Sequence, residues 1–122
     1  AFDDPGVDFH AGDLAALPAL LATLPPVDRA FHLASVVSGG AEADFDLGWR
    51  VNLDGTRLLL EALRRQSAAG GPVARLVFTS SVAVFGGHLP EIVRDDTVAT
   101  PQLSYGVQKL MCEYLIADYA RK

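Results

Sequence analysis

Short apolar runs that alternate with longer helical patterns constrain the fold of this chain more than any other feature. Apolar runs bounded by turn-forming residues predict strands at residues 7–11, 28–35 and 73–81. Helical spacing of apolar residues predicts helices at residues 12–24, 45–66 and 103–121. Strands that alternate with helices are typical of a parallel sheet whose strands are joined by helical crossovers. The sequence therefore predicts an α/β fold with a parallel sheet.

Individual residues mark the helix ends and the loops. Asp13 is the predicted N-cap of the first helix, and Pro18 is expected in its first turn. The glycine-containing segment 36–44 is predicted to be a loop. Residues 82–102 are predicted to be a second, longer irregular segment, and loops of that length inside compact domains are usually functional or disordered.

Composition excludes several classes of function. Half of the 122 residues are hydrophobic, which is enough for a globular core. The net charge is −5 and the chain has no run of lysine or arginine, so the basic surface of a nucleic-acid-binding protein is not expected. The apolar runs are too short to cross a membrane. We therefore expect a cytoplasmic protein, in which the single cysteine, Cys112, is a small buried residue on a helix.

Candidate functional residues follow the predicted strands. Ligands of parallel α/β sheets bind at the carboxyl ends of the strands, which singles out Asp13, residues 32–40 and residues 79–86. Downstream, Tyr105 and Lys109 are four residues apart on a predicted helix and therefore share one face. A nearby ammonium favours the phenolate form of a tyrosine. With a serine hydroxyl beside it, such a pair can move a proton to or from an alcohol.

Five short segments follow one another along the chain, namely AGDL (11–14), FHLAS (31–35), NLDGT (52–56), TSSVAVFG (79–86) and SYGVQK (104–109). Their order resembles that of the extended short-chain dehydrogenase/reductase superfamily, which includes NAD-dependent epimerases and dehydratases. The chain therefore resembles this superfamily over nearly its whole length. The resemblance implies a doubly wound parallel sheet of the Rossmann type.

Part of the superfamily's pattern is not found in these residues. The Gly-x-x-Gly-x-x-Gly phosphate loop of the first βαβ segment is missing, and so is the C-terminal substrate region. The chain begins without methionine and ends in a helical pattern. We therefore expect residues 1–122 to be the central part of an NAD(P)-binding Rossmann domain within a longer protein.

The resemblance also implies roles for individual residues. Ser81 would be the catalytic serine, Tyr105 the general acid/base, and Lys109 the residue that binds the nicotinamide ribose and stabilises the Tyr105 phenolate. The implied cofactor is NAD, with NADP as the alternative. Besides Tyr105 and Lys109, its implied contacts are Asp13, Leu14, Leu33, Ala34, Ser35 and Asn52.

The segment SGGAEADFD (38–46) narrows the expected function. Together with the long helix and the YGVQK motif, it resembles a group of dehydrogenases that oxidise a four-carbon sugar acid with NAD. In that group the segment lies beside the substrate, so Ser38 would join Ser81 and Tyr105 as a substrate contact. This resemblance implies oxidation of a secondary alcohol of a small sugar acid. The wider family resemblance implies a homodimer that pairs through its long helices.

Two other functions remain open. A nucleotide-sugar 4-epimerase or dehydratase would use the same serine, tyrosine and lysine, although Phe85 stands where many members have a tyrosine. A non-enzymatic regulator that senses a dinucleotide ranks lower, because such proteins often lose the tyrosine or the lysine. His32 lies on an apolar strand and is predicted to be buried and hydrogen-bonded rather than catalytic. The histidines lack the spacing of metal ligands, so no metal site is expected.

Overall fold

Two parallel strands form the sheet in the part of the chain that the computed structural model describes, residues 4–122. They are β1 (Arg29–His32) and β2 (Arg75–Phe78), and their register places Arg29 opposite Arg75 and His32 opposite Phe78. The parallel pairing across a long helical connection confirms the predicted β-helix-β arrangement. Both strands are shorter than predicted, because the ladder is limited to the residues that pair.

Helices account for most of the remaining regular structure. The α-helices of the described residues are α1 (Leu17–Leu21), α2 (Ser38–Ala43), α3 (Phe45–Gly48), α4 (Gly55–Ala68) and α5 (Ser104–Arg121). A π-helical segment, Trp49–Asp54, joins α3 to α4, so the long helix predicted at 45–66 is present with a π-helical stretch inside it. The predicted helix at 103–121 is confirmed by α5. Short 3-10 turns precede α1 (Leu14–Ala16) and follow β2 (Val82–Val84).

The first predicted strand is wrong. Residues 7–11 are not in a strand, and Val7 is exposed. An extended segment becomes a strand only by pairing its backbone with a neighbour. In residues 4–122 the only such pair is β1 with β2, so the apolar pattern of 7–11 has no strand beside it.

The predicted loop at 36–44 is also wrong, because it contains α2. Two glycines give this segment a low intrinsic helix propensity, and its packing overrides that preference. Ala41 is fully buried, and the Glu42 carboxylate accepts a hydrogen bond from the Ser104 N–H at the start of α5. Contacts with α5 thus hold the segment in a helix.

The helix predicted at 12–24 is shorter than expected and begins as a 3-10 turn. Asp13 is its N-cap as predicted, since its carboxylate accepts a hydrogen bond of 2.8 Å from the Ala15 N–H. Pro18 lies in the first turn of α1, as predicted. The helix ends at Leu21, ahead of two prolines that disfavour helical backbone in the residue before each of them.

The core contains buried polar side chains as well as apolar ones. Its buried apolar residues are Ala41, Leu59, Leu60, Leu63, Val84 and Cys112. Beside them lie buried polar side chains, which are His32, Asn52, Thr56, Gln108 and Lys109. Buried polar groups need hydrogen-bond partners. The polar side chains come from the end of β1, the π-helical segment, the start of α4 and the middle of α5, so these elements meet at the carboxyl edge of the sheet.

Candidate active site

Lys109 brings a positive charge to the carboxyl end of β2. Its side chain is almost fully buried, and Nζ donates a hydrogen bond of 2.8 Å to the carbonyl oxygen of Thr79, the residue that follows β2. Nζ also lies 4.6 Å from the centre of the Phe78 ring and 5.7 Å from that of Tyr105. A carbonyl dipole and aromatic faces partly replace the water that a buried ammonium loses.

Gly106 packs the start of α5 against the turn that carries Ser81. A Cβ atom at position 106 would lie 2.1 Å from the Ala83 carbonyl oxygen, a distance that no side chain can tolerate. Ser81 is the N-cap of that turn, and its Oγ accepts a hydrogen bond of 3.2 Å from the Ala83 N–H. The structure therefore brings together the elements that carry Ser81, Tyr105 and Lys109. Their catalytic roles stay predictions.

Asn52 connects the π-helical segment to the loop after β1. Its side chain is buried, and Oδ1 accepts hydrogen bonds from the Val36 N–H at 2.8 Å and the Ser35 hydroxyl at 3.1 Å. Its Nδ2 donates to the Val36 carbonyl at 2.9 Å and to Gln108 Oε1 at 2.7 Å. π-Helical segments are frequent at functional sites, and here the segment presents an amide that holds the loop expected to line the dinucleotide.

Gln108 is a site residue that the sequence reasoning missed. It is fully buried, and its amide oxygen is the partner of Asn52 described above. The available signal was its position four residues before Cys112, on the same face of α5. A polar residue on a buried helix face indicates a hydrogen-bonded role.

His32 is buried and hydrogen-bonded, as predicted. The Thr56 hydroxyl donates a hydrogen bond of 2.6 Å to the Asn52 carbonyl, so its oxygen accepts the hydrogen bond of 2.8 Å from the His32 Nε2–H. The pKa of His32 is lowered from its usual 6.5, first by burial and then by the charge of Lys109. Both effects favour the neutral ring.

Cys112 is a buried thiol on α5, which confirms the sequence prediction. Its sulfur lies 3.2 Å from the Asn52 carbonyl oxygen and 3.5 Å from Thr56 Oγ1. Burial raises the pKa of the thiol, and this outweighs the opposite effects of the Thr56 hydrogen bond and the Lys109 charge. A thiol that stays protonated is a poor nucleophile.

Besides Asn52, Tyr105 and Lys109, the residues predicted to contact the cofactor lie in two segments. Leu33, Ala34 and Ser35 directly follow β1, and Leu33 and Ala34 are exposed there, open to a flat ligand. Asp13 and Leu14 begin the first turn, where Leu14 Cδ1 would lie 2.7 Å from a Cβ atom at Gly55. Exposed small and apolar groups along a carboxyl sheet edge fit a dinucleotide.

The predicted substrate contacts lie on separate elements. Ser38 is the first residue of α2 and is half-buried. Ser81 lines an open groove of about 760 Å³, together with Ser80, Phe85, Thr97 and Glu113. Ser80 donates a hydrogen bond to Glu113 across this groove. Neither Ser38 nor Tyr105 lines the groove.

Two further features are absent from residues 4–122. No group of three or more histidine, cysteine, aspartate and glutamate side chains is arranged to hold a metal ion there. No helix in that range is both long and apolar enough to cross a membrane.

The parallel β-helix-β arrangement and the motifs at its carboxyl edge define an α/β protein of the Rossmann type. The chain belongs to the NAD-dependent epimerase/dehydratase family, whose sequence profile matches residues 2–122. It is 54% identical to D-erythronate dehydrogenase of Cupriavidus necator, over 98% of this chain and 36% of that protein. The chain thus spans about a third of the length of this relative. The resemblance to the extended short-chain dehydrogenase/reductase superfamily is confirmed.

Solved structures confirm the Rossmann-type α/β class. The nucleoside-diphosphate-sugar epimerase of Agrobacterium tumefaciens has a TM-score of 0.84 and 47% identity, over 96% of this chain and 36% of that one. UDP-glucose 4-epimerase of Brucella ovis, solved in complex with NAD, has a TM-score of 0.78 and 29% identity, over 93% of this chain and 34% of that one.

Proposed function

We propose that the protein is an NAD-dependent dehydrogenase that oxidises a secondary alcohol of a small sugar acid, with D-erythronate as the first substrate to test. One structural observation supports this proposal most directly. The Lys109 ammonium is buried beside the Tyr105 ring, next to the turn that begins with Ser81. The likeness to D-erythronate dehydrogenase supports the choice of substrate.

The chemistry assigned to this chain is a proton transfer. Ser81 donates a hydrogen bond to the substrate oxygen, and the Tyr105 phenolate removes the hydroxyl proton from it. The Lys109 ammonium stabilises the phenolate by its charge. NAD, when bound, would supply the hydride acceptor, taking the hydride from the carbon that bears this oxygen, so that the alcohol becomes a ketone.

The cofactor would be held by groups on both sides of the sheet edge. Asp13 and Leu14 would flank the adenine, and residues 33–35 would line the dinucleotide. Lys109 would reach the nicotinamide ribose from α5. Asn52 does not need to touch the cofactor, since its amide holds the backbone of Val36 beside residues 33–35.

Substrate preference tests the proposed activity. Steady-state assays of the full-length protein with NAD should compare four-carbon sugar acids, D-erythronate among them, with UDP-sugars. We expect NADH formation with a four-carbon sugar acid. Turnover of UDP-sugars alone would refute the dehydrogenase assignment.

The second candidate is a nucleotide-sugar 4-epimerase or dehydratase. The structural likeness to the A. tumefaciens epimerase favours it, and the same Ser81, Tyr105 and Lys109 would serve it. Phe85 weighs against it, because this phenyl ring lacks the hydroxyl that many family members place at this position. The UDP-sugar arm of the assay above measures this candidate directly.

Homodimer formation through the long helices also stays a proposal. On α5, Val107, Met111 and Tyr114 are exposed at helical spacing and form an apolar stripe. Sedimentation velocity of the full-length protein tests it, and a monomer at micromolar concentration would contradict it.

A further inference from the structure

The orientation of the Asn52 amide is fixed by the backbone. The Val36 N–H can only donate, so the atom of Asn52 that lies 2.8 Å from it must be the oxygen. Nδ2 then faces the Val36 carbonyl and Gln108, at 2.9 and 2.7 Å. The Gln108 atom that faces Asn52 must therefore be its acceptor, Oε1. Gln108, on the helix of Tyr105 and Lys109, is thus connected through one side chain to the loop after β1.

The other half of the Gln108 amide has no partner. Gln108 is fully buried, and its Nε2 makes no hydrogen bond to any of the described residues. A Cβ atom at Gly48 would lie 2.8 Å from Nε2, so α3 packs closely against it. A buried donor without an acceptor disfavours the folded state. A methionine fills a similar volume without that donor, so packing alone does not explain an amide here.

We propose that Gln108 is a positioning residue for the proton transfer, acting through Asn52. Its Oε1 holds the Asn52 amide, and this amide holds both backbone polar groups of Val36. The loop expected to line the dinucleotide is thereby kept in a fixed position relative to Tyr105 and Lys109. Catalysis depends on such positions, since a misplacement of 1 Å can lower a rate by about 100-fold. The inference rests on the proposed dehydrogenase function.

The test compares Gln108→Met with Gln66→Met in the full-length protein. Gln66 is a matched control because its amide also holds a loop: Oε1 accepts from the Val27 N–H at 2.6 Å and Nε2 donates to the Val27 carbonyl at 2.8 Å. Gln66 lies near the end of α4, and its side chain hydrogen-bonds Val27 and Pro72 rather than a residue of the site. Gln66→Met should lower the melting temperature, whereas only Gln108→Met should lower kcat, by about 10- to 100-fold. Equal kcat losses in the two variants would overturn the proposal.

A second readout does not depend on activity. In Gln108→Met the Asn52 amide keeps its hydrogen bonds to Val36 but loses its connection to α5. The loop is then held less firmly, so the Val36 N–H should exchange with deuterium at least tenfold faster than in the wild type. Gln66→Met should leave this exchange rate unchanged. Unchanged exchange at Val36 in Gln108→Met would overturn the proposal. If the wild-type protein oxidised none of the substrates, the proposed function would be wrong. The exchange comparison would still test the role of Gln108, because it does not depend on activity.

Two further variants show whether Gln108 acts through Asn52. Gln108→Glu keeps an oxygen facing Asn52 Nδ2 and should protect the Val36 amide as the wild type does, and fast exchange there would contradict the proposal. In an Asn52→Ala background, Gln108→Met should lower kcat by less than twofold, because the connection is already broken. Independent, multiplicative losses in kcat would show that Gln108 acts by another route.

Discussion

At the scale of single residues, the site contains two ionisable side chains, Lys109 and His32, that are both buried. Lys109 is buried next to a carbonyl oxygen and aromatic rings. His32 is buried nearby, and its Nε2–H donates a hydrogen bond to the Thr56 hydroxyl oxygen. Because the ammonium disfavours a second positive charge, the neutral histidine and the charged lysine are compatible.

Stability should depend on pH through His32. Its pKa is lowered from 6.5 in the folded state, so below about pH 6.5 the unfolded chain binds the proton more readily than the folded one. The contribution of His32 is therefore fully present above that pH and is lost as the pH falls through the folded pKa. Urea unfolding between about pH 5 and 8 should show the free energy of unfolding decreasing toward acid.

Substitution separates this effect from the other ionisable groups. His32→Gln should flatten the decrease, whereas His88→Gln, which changes an exposed loop residue, should keep the wild-type slope. An NMR titration of His32 should give a pKa below that of a free histidine. A His32 pKa at or above 6.5 would contradict the burial argument.

At the scale of elements, the close approach of α5 to the Ser81 turn depends on one glycine. Gly106→Ala would place a Cβ atom 2.1 Å from the Ala83 carbonyl oxygen, so α5 would have to move away from the turn. We expect a loss of about 1–3 kcal/mol in the free energy of unfolding, as is typical of overpacking. The move would also separate Tyr105 from Ser81, so kcat should fall about 100-fold.

Gly39→Ala is the matched control for this prediction. Gly39 is also helical, in α2, but a Cβ atom there would meet nothing within 4 Å. Alanine in a helix is favoured over glycine by about 0.5–1 kcal/mol, so this variant should be slightly more stable than the wild type. Denaturant unfolding compares the two variants, and an unaffected Gly106→Ala protein would show that the helix contact is not required.

The elements differ in how far the sequence could predict them. β1, β2 and α5 follow from local apolar patterns and were found at nearly the predicted positions. The helix α2 was missed because Ala41 and Glu42 gain their contacts only when α5 lies beside them. Residues 7–11 were assigned to a strand because periodicity reveals apolar alternation and not the presence of a pairing neighbour.

The residues of the candidate site likewise differ in how far the sequence could predict them. Tyr105 and Lys109 are marked by their spacing, whereas Ser81 is singled out among the hydroxyl residues 79–81 by the family resemblance. Gln108 was not found, because its role is defined by Asn52, which lies 56 positions away in the sequence. The π-helical stretch that carries Asn52 was likewise not visible, since the surrounding residues follow an ordinary helical pattern.

At the scale of the whole molecule, the sheet exposes apolar side chains on one face. Phe31 and Val77 are paired across β1 and β2, and they are 67% and 49% exposed. Apolar patches of this kind mark surfaces that are covered by other parts of a protein or by partners. This chain spans 36% of the D-erythronate dehydrogenase that it matches. Activity is therefore a property to be measured on the full-length protein.

The central claim is that Tyr105 transfers the proton of the substrate hydroxyl. The most direct test is kcat for oxidation of D-erythronate with NAD by the full-length Tyr105→Phe variant, with Tyr119→Phe as control. Tyr119 is on the same helix and its hydroxyl bonds Glu61, about 20 Å further along the axis. We predict that Tyr105→Phe lowers kcat by about 10²- to 10⁴-fold with nearly unchanged NAD affinity, and that Tyr119→Phe does not. Wild-type kcat in Tyr105→Phe would contradict the account.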